Sequence, residues 1–291
     1  MKWELIYGHY SKTEVKSEIA SYCLNRWIAL HCEEKDAKGL PLMIRYEKLR
    51  RCPLKISSEN DVMKIINECK RYRPRAFYAT AHIYKKINSI EDVMDRSNII
   101  ASSPTWDIDS KDGDWRKVVE KALEIIDVLE KNGVVRSVFF KWSGRGAHVH
   151  VNQNAFSKEI YMKIDPLDIA YSVTQYVANR VSLTEGVVVE NKIDIQRVFT
   201  APLSLHRLVD RVAVCIPPEK LSEFHIDWTR PDSFKHFPDS WRRFAVGEGD
   251  ALAERAFFAI GPYIVRRSRR RKHKPLDQEI LETLRKFDER I

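Results

Sequence analysis

Residues 104–151 constrain the fold more tightly than any other stretch of this chain. Within 104–109 (PTWDID) apolar and polar residues alternate with the period of a half-buried strand. Over 115–132, Val118, Val119, Ala122, Leu123, Ile126, Val128 and Leu129 fall along one helical face, and Gly133 stands where such a helix is capped. A run rich in β-branched and aromatic residues follows at 134–142, then Ser143-Gly144-Arg145-Gly146 as a turn, then a returning strand at 147–151. Strand, helix and hairpin in that order make half of an RRM-like sheet.

The flanks supply the remaining elements. Apolar residues recur with helical spacing at 11–24 and 59–71, short strands are expected at 26–30 and 42–46 around a Lys38-Gly39 turn, and another at 76–84. A long helix is expected over 158–181 with an interruption at Pro166, strand-like material at 187–198, and a strand at 211–216 ended by Pro217 and Pro218. Beyond residue 245 the pattern is helical, at 251–259 and 278–287. The expectation is an α+β fold, an RRM-like antiparallel sheet core with flanking helices. It divides into a main domain over 1–245 and a helical, basic C-terminal appendage over 246–291.

Composition removes several classes. With 44% hydrophobic and 31% charged residues among 291, the chain supports a sizeable core and is not fibrous or low in complexity. No apolar run approaches the roughly 20 residues of a membrane helix, and residues 1–10 lack a secretory pattern, so a cytoplasmic protein with no membrane partner is expected. The five cysteines are scattered with no C-x-x-C pair, which argues against a disulfide framework and against structural zinc, including a site built on Cys32 with His31. The net charge of +9 is uneven: Arg266, Arg267, Arg269, Arg270, Arg271 and Lys272, with Lys274, form one cationic run, which suits a nucleic-acid backbone.

Three short motifs carry chemistry. In a strand, Asp107 and Asp109 project from one face while Trp106 and Ile108 turn to the other, and paired carboxylates of that kind are commonly sustained by bound cations. Ser143-Gly144-Arg145-Gly146-Ala147-His148, on the hairpin beside that strand, joins a glycine-rich backbone to donors suited to phosphate oxygens, and His148 and His150 share a face. Residues 194–206 (DIQRVFTAPLSLH) add a third acid, Asp194, and a further donor, His206. Three carboxylates beside a phosphate cradle are the inventory of two-metal nucleotidyl transfer.

In this order, D-x-D, then S-G-R-G-x-H, then an Asp followed by R-x-x-x-x-P-x-S-L-H, the motifs resemble the archaeo-eukaryotic primase superfamily, most closely the small catalytic subunit of archaeal and eukaryotic primase, over roughly residues 20–220. The resemblance implies the primase fold and a template-directed nucleotidyltransferase, a DNA primase or primase-polymerase. It implies Asp107, Asp109 and Asp194 as catalytic ligands of two Mg²⁺ or Mn²⁺ ions, and Ser143, Arg145, His148 and His206 as holders of the nucleoside triphosphate. A single-stranded DNA template and, as an additional partner, a large primase subunit go with it. Arg26 and Arg45 look like the superfamily's N-terminal arginine motifs near the site. Two alternatives share the core: an end-joining repair polymerase, and a non-catalytic nucleic-acid-binding paralogue in a replication or repair complex. The chain departs from the replicative pattern in a turn one residue shorter than S-G-x-R-G-x-H, in Thr200 where a basic residue is usual, and in lacking the zinc knuckle. Arg197 or Arg207 is then the candidate for the missing triphosphate contact.

Overall fold

The structure, a computed structural model, describes residues 1–36, 39–47 and 51–264. The cationic run and the helix expected at 278–287 lie outside the described residues. Two helices, α1 (Trp3–Ser11) and α2 (Thr13–Cys23), open the chain and precede β1 (Ile28–Lys35), β2 (Pro41–Ile44), α3 (Glu59–Glu68), β3 (Pro74–Thr80) and β4 (His82–Tyr84). Next come α4 (Ile90–Met94), β5 (Ile99–Ser102), β6 (Thr105–Ser110), α5 (Trp115–Lys131), β7 (Val138–Trp142) and β8 (Ala147–Val151). The last elements are α6 (Lys158–Lys163), α7 (Pro166–Ala178), β9 (Val187–Asn191), β10 (Val198–Thr200), β11 (Val214–Ile216), α8 (Asp239–Arg242) and α9 (Asp250–Ile260).

The fold is α+β with antiparallel sheets. One sheet runs β10-β3-β1-β2, a larger one runs β11-β7-β8-β6-β9, and β4 pairs with β5 as a separate ribbon. One hydrophobic core is continuous across both larger sheets and the helices α1, α2, α3, α5, α7 and α9. Among the described residues, no helix is long and apolar enough to cross a membrane.

The β6–α5–β7–β8 unit forms as its pattern implies, with differences at the edges. Asp114 caps α5 by accepting from the Arg116 amide at 3.0 Å. The buried face runs through Val118, Ala122, Ile125, Ile126 and Leu129, and Leu123 is left exposed. Lys121 lies along that face with its stem buried and its ammonium on the Ser182 carbonyl. Strand β7 starts at Val138, not at 134, because the carboxylate of Glu248 captures the amides of Val135, Arg136 and Ser137 at 2.7, 2.7 and 2.9 Å and so removes them from a ladder. The interruption expected at Pro166 is the first turn of α7, where Asp165 accepts from the Leu167 amide at 2.8 Å. The strand expected over 76–84 is two strands, β3 and β4, separated at Ala81, whose amide bonds the Arg197 carbonyl. Helix α1 has no counterpart among the expected elements, and α9 buries Leu252, Ala253 and Ala256 in the common core.

Two buried histidines hold distant segments together. His9 Nε2 meets the Leu203 carbonyl at 2.8 Å, and His82 bridges Ser102 Oγ and the Asp194 carbonyl, both at 2.8 Å. Burial lowers both imidazoles from 6.5 to about 4. Between those values the unfolded chain binds protons that the folded chain refuses, so stability falls as pH falls through this window. Unfolding in urea is expected to show about 2–3 kcal/mol less stability per histidine at pH 4.5 than at pH 7.5. A profile that stays flat from pH 7.5 to 4.5 would refute this account.

Candidate active site

Register places the acids. Asp107 lies in the middle of β6, directly opposite His148 of β8 on one side and Glu190 of β9 on the other. Directly paired residues share a sheet face, so one carboxylate, one imidazole and a second carboxylate stand in a row. Trp106 and Ile108 occupy the reverse face and are fully buried, with the Trp106 indole donating to the Thr174 carbonyl at 2.9 Å. This anchors β6 so that its acidic face cannot rotate away. Asp109, two residues on, extends the row into solvent, its side chain 54% exposed.

Asp107 Oδ1 sits 3.3 Å from His148 Nε2, and Asp107 Oδ2 sits 2.5 Å from the ammonium of Lys192. Burial raises the Asp107 carboxyl, but the hydrogen bonds and charges of His148 and Lys192 outweigh it and hold the group well below the usual carboxylate range. Burial lowers His148, against the pull of Asp107. Lys192 also reaches Glu190 Oε2 at 2.8 Å and Asp109 Oδ2 at 3.7 Å. Asp107, Asp109 and Glu190 offer oxygens that all lie within 4.8 Å of one another, a spacing that fits a shared hard cation.

Asp194, expected as the third acid, is not in this group and does not line the cleft beside it. Its Oδ2 takes Arg197 at 2.8 Å, its Oδ1 takes the Gln196 amide at 2.9 Å, and its carbonyl takes His82. The carboxylate therefore stabilises its own turn. Strand β9 ends at Asn191, and it is Glu190, inside the strand, that register carries to Asp107.

The Ser143–Gly146 turn closes on itself: the Ser143 amide and hydroxyl both donate to the Gly146 carbonyl, at 2.9 and 3.0 Å. Its glycines are demanded by packing. A Cβ at Gly146 would stand 2.4 Å from the Ile108 carbonyl oxygen and 2.6 Å from Asp109 Oδ1. At Gly144, whose φ is +130°, a Cβ would stand 2.4 Å from the His206 ring. The turn thus lies flat against the acidic strand and against His206, which leaves Arg145 exposed and without an ion pair among the described residues.

His206 is delivered by a loop tied into the other sheet. Phe77 of β3 donates its amide to Ser204 Oγ at 2.8 Å, and the Tyr10 hydroxyl accepts from the Leu205 amide at 3.1 Å while donating to the Arg75 carbonyl at 2.7 Å. His206 Nδ1 accepts from the amides of Leu208 and Val209, both at 3.1 Å, which leaves the proton on Nε2. Burial, reinforced by Arg207 and Arg75, lowers this imidazole to about 4, so near neutral pH it is an uncharged donor.

One cleft of about 410 Å³ collects Asp107, Asp109, Ser143, Arg145, His148 and His206. Lys192, Arg197, Arg207 and Tyr78 line it as well. Arg197 is committed to Asp194 and, through Nε at 2.6 Å, to the Lys192 carbonyl, whereas Arg207 is exposed and has no ion pair among the described residues. Arg26 and Arg45 are not in the cleft. Arg26 spends its donors on the Tyr22 and Thr80 carbonyls and on Gln153, and Arg45 lies 3.5 Å over the Trp27 ring with a bond to the Gln196 carbonyl. Lys192, Glu190 and Tyr78 escaped the sequence reading. The β-branched run Val187–Val189 was the available signal for a strand reaching Glu190, but only pairing with β6 gives it a role.

No protein-family model matches the chain, and no curated protein matches it. The structure is similar to the polymerase domain of Ligase D from Mycobacterium tuberculosis, solved in complex with DNA, with a TM-score of 0.52 over 88% of each chain at 14% sequence identity. At that identity the similarity is one of fold.

The contact made by Gly146 is open to a direct check. Gly146→Ala is expected to cost about 1–3 kcal/mol in urea unfolding, because β6 backbone must give way. Gly8→Ala, in a helix where an added Cβ meets nothing within 4 Å, is expected to be neutral or stabilising. Equal effects of the two substitutions would contradict the close approach.

Proposed function

We propose that this protein is a template-directed nucleotidyltransferase, a primase-polymerase that forms phosphodiester bonds from nucleoside triphosphates. The supporting observation is the meeting, in one cleft, of a paired-carboxylate strand with the Ser143–His148 hairpin and His206, three segments far apart in sequence. Asp107, Asp109 and Glu190 would hold the divalent cation, Mg²⁺ or Mn²⁺. Such ions supply neutralisation of phosphate charge and activation of a 3′-hydroxyl. The chain's own part is positioning and electrostatics. His206 presents Nε2–H, and Arg145 and Arg207 present guanidiniums with no ion pair among the described residues, to the phosphates of an incoming nucleotide. Arg207 takes the place left by Thr200, since Arg197 is already engaged. His148 orients Asp107, and Ser143 locks the turn on which Arg145 is carried.

The cationic run belongs to the same reading as a contact for the template backbone, through Arg266, Arg267, Arg269, Arg270, Arg271 and Lys272. Tyr263, just before it, packs on Tyr171 beside Ile193 and Phe199, next to the loop that carries Arg197 to the cleft. The R-x-x-x-x-P-x-S-L-H run favours priming over the alternative, an end-joining repair polymerase. Substrate choice between single-stranded template and joined ends separates them. A non-catalytic, nucleic-acid-binding protein is a second reading, favoured by Lys192 lying within the acid cluster.

With Mn²⁺, labelled nucleotides and a single-stranded template, the protein is expected to give template-dependent product. Asp107→Ala with Asp109→Ala is expected to reduce product by at least about 10³-fold while DNA binding persists. Template-dependent synthesis undiminished in the double variant sinks the mechanism proposed for these acids, and absence of product from the unaltered protein with each nucleotide type favours the binding-only reading. Deleting residues 266–274 is expected to weaken binding to single-stranded DNA and to flatten the plot of log K against log salt by up to about 5. An unchanged slope would leave the run as a linker.

A further inference from the structure

Three carboxylates that share a face repel one another, yet the cluster already contains one cation. The ammonium of Lys192 lies 2.5 Å from Asp107 Oδ2, 2.8 Å from Glu190 Oε2 and 3.7 Å from Asp109 Oδ2, touching every acid of the group. Those are the three carboxylates that would ligate a divalent ion. The residue is anchored at its backbone, where the Lys192 carbonyl accepts from Arg197 Nε at 2.6 Å. Its side chain is free of packing constraints on one side, being 28% exposed on a flexible four-carbon stem. An ammonium and a divalent ion cannot occupy one nest of oxygens together.

We propose that Lys192 is a resident counter-ion of the acid cluster, which a divalent cation must displace before the cluster is loaded. Empty, the cluster is kept from electrostatic repulsion by the lysine. Loading moves the ammonium out toward the cleft, which it already lines, where a triphosphate would receive it. The device makes the metal affinity of the free protein low and couples loading to arrival of an anionic nucleotide, because displaced positive charge then has a partner. This inference rests on the proposed metal-binding role of Asp107, Asp109 and Glu190.

The test is direct binding of Mn²⁺ to the full chain without nucleotide at one fixed pH, with free Mn²⁺ read by electron paramagnetic resonance. Lys192→Met is expected to bind at least about tenfold more tightly than the unaltered protein, because removing a nearby positive charge deepens the attraction of the acids. Lys192→Gln, a second uncharged variant, is expected to follow it, and Lys192→Arg to stay within about threefold of the unaltered protein. Asp107→Asn with Asp109→Asn is the control that empties the cluster. If either folded uncharged variant binds no more tightly than the unaltered protein while both exceed the control, the counter-ion role is overturned and the metal site stands. If no form exceeds the control, the metal site itself falls and this inference with it.

Discussion

The pairing of β6 with β8 and β9 is the constraint on which the site depends. It sets Asp107 between His148 and Glu190, and it does so because the reverse face of β6 is pinned by Trp106 and Ile108 in the core. A slip of one residue would turn the acids inward and the tryptophan outward, an exchange that burial forbids. The concentration of negative charge is thus enforced by apolar packing on the opposite side of the strand. Like charges 4–5 Å apart repel by on the order of 3–4 kcal/mol at the effective dielectric of a protein surface. Lys192 and His148 offset that cost without any bound ion.

The second condition is the meeting of the two sheets. The larger sheet carries the acids and the Ser143–Gly146 turn, while the smaller one, through β3 and β10, holds the loop that ends in His206. Gly144 is where the two parts touch, against His206, while Gly146 presses the turn onto β6, and neither has room for a side chain. Glycine in this turn is therefore explained by packing against Ile108, Asp109 and His206 before any ligand is considered. The exposed Arg145 follows from the same geometry, since a turn pressed flat has only its outer edge free.

Much of the fold was legible in the chain. The β6–α5–β7–β8 unit was readable because its periods change cleanly from two to 3.6 and back within fifty residues or so, and glycine-bearing turns mark the changes. The break at Pro166 was readable for a covalent reason, the missing amide of proline. Helix α1 was not, because its apolar residues make a weak stripe that packing, not periodicity, stabilises. The start of β7 was not, because Glu248 acts on it from more than a hundred residues away.

The site divides the same way. The sequence by itself determined the local chemistry: an alternating strand must put Asp107 and Asp109 on one face, and a turn with two glycines must lie close to whatever it covers. It also marked His148 and His206, which the fold brings into one cleft with those acids. Only the tertiary structure decided that Glu190 joins the acids, that Asp194 turns instead to Arg197, and that Lys192 lies among the carboxylates. The reason is physical: strand order and register are set by long-range burial, and a single residue's position in its own segment carries no information about which strand will lie beside it.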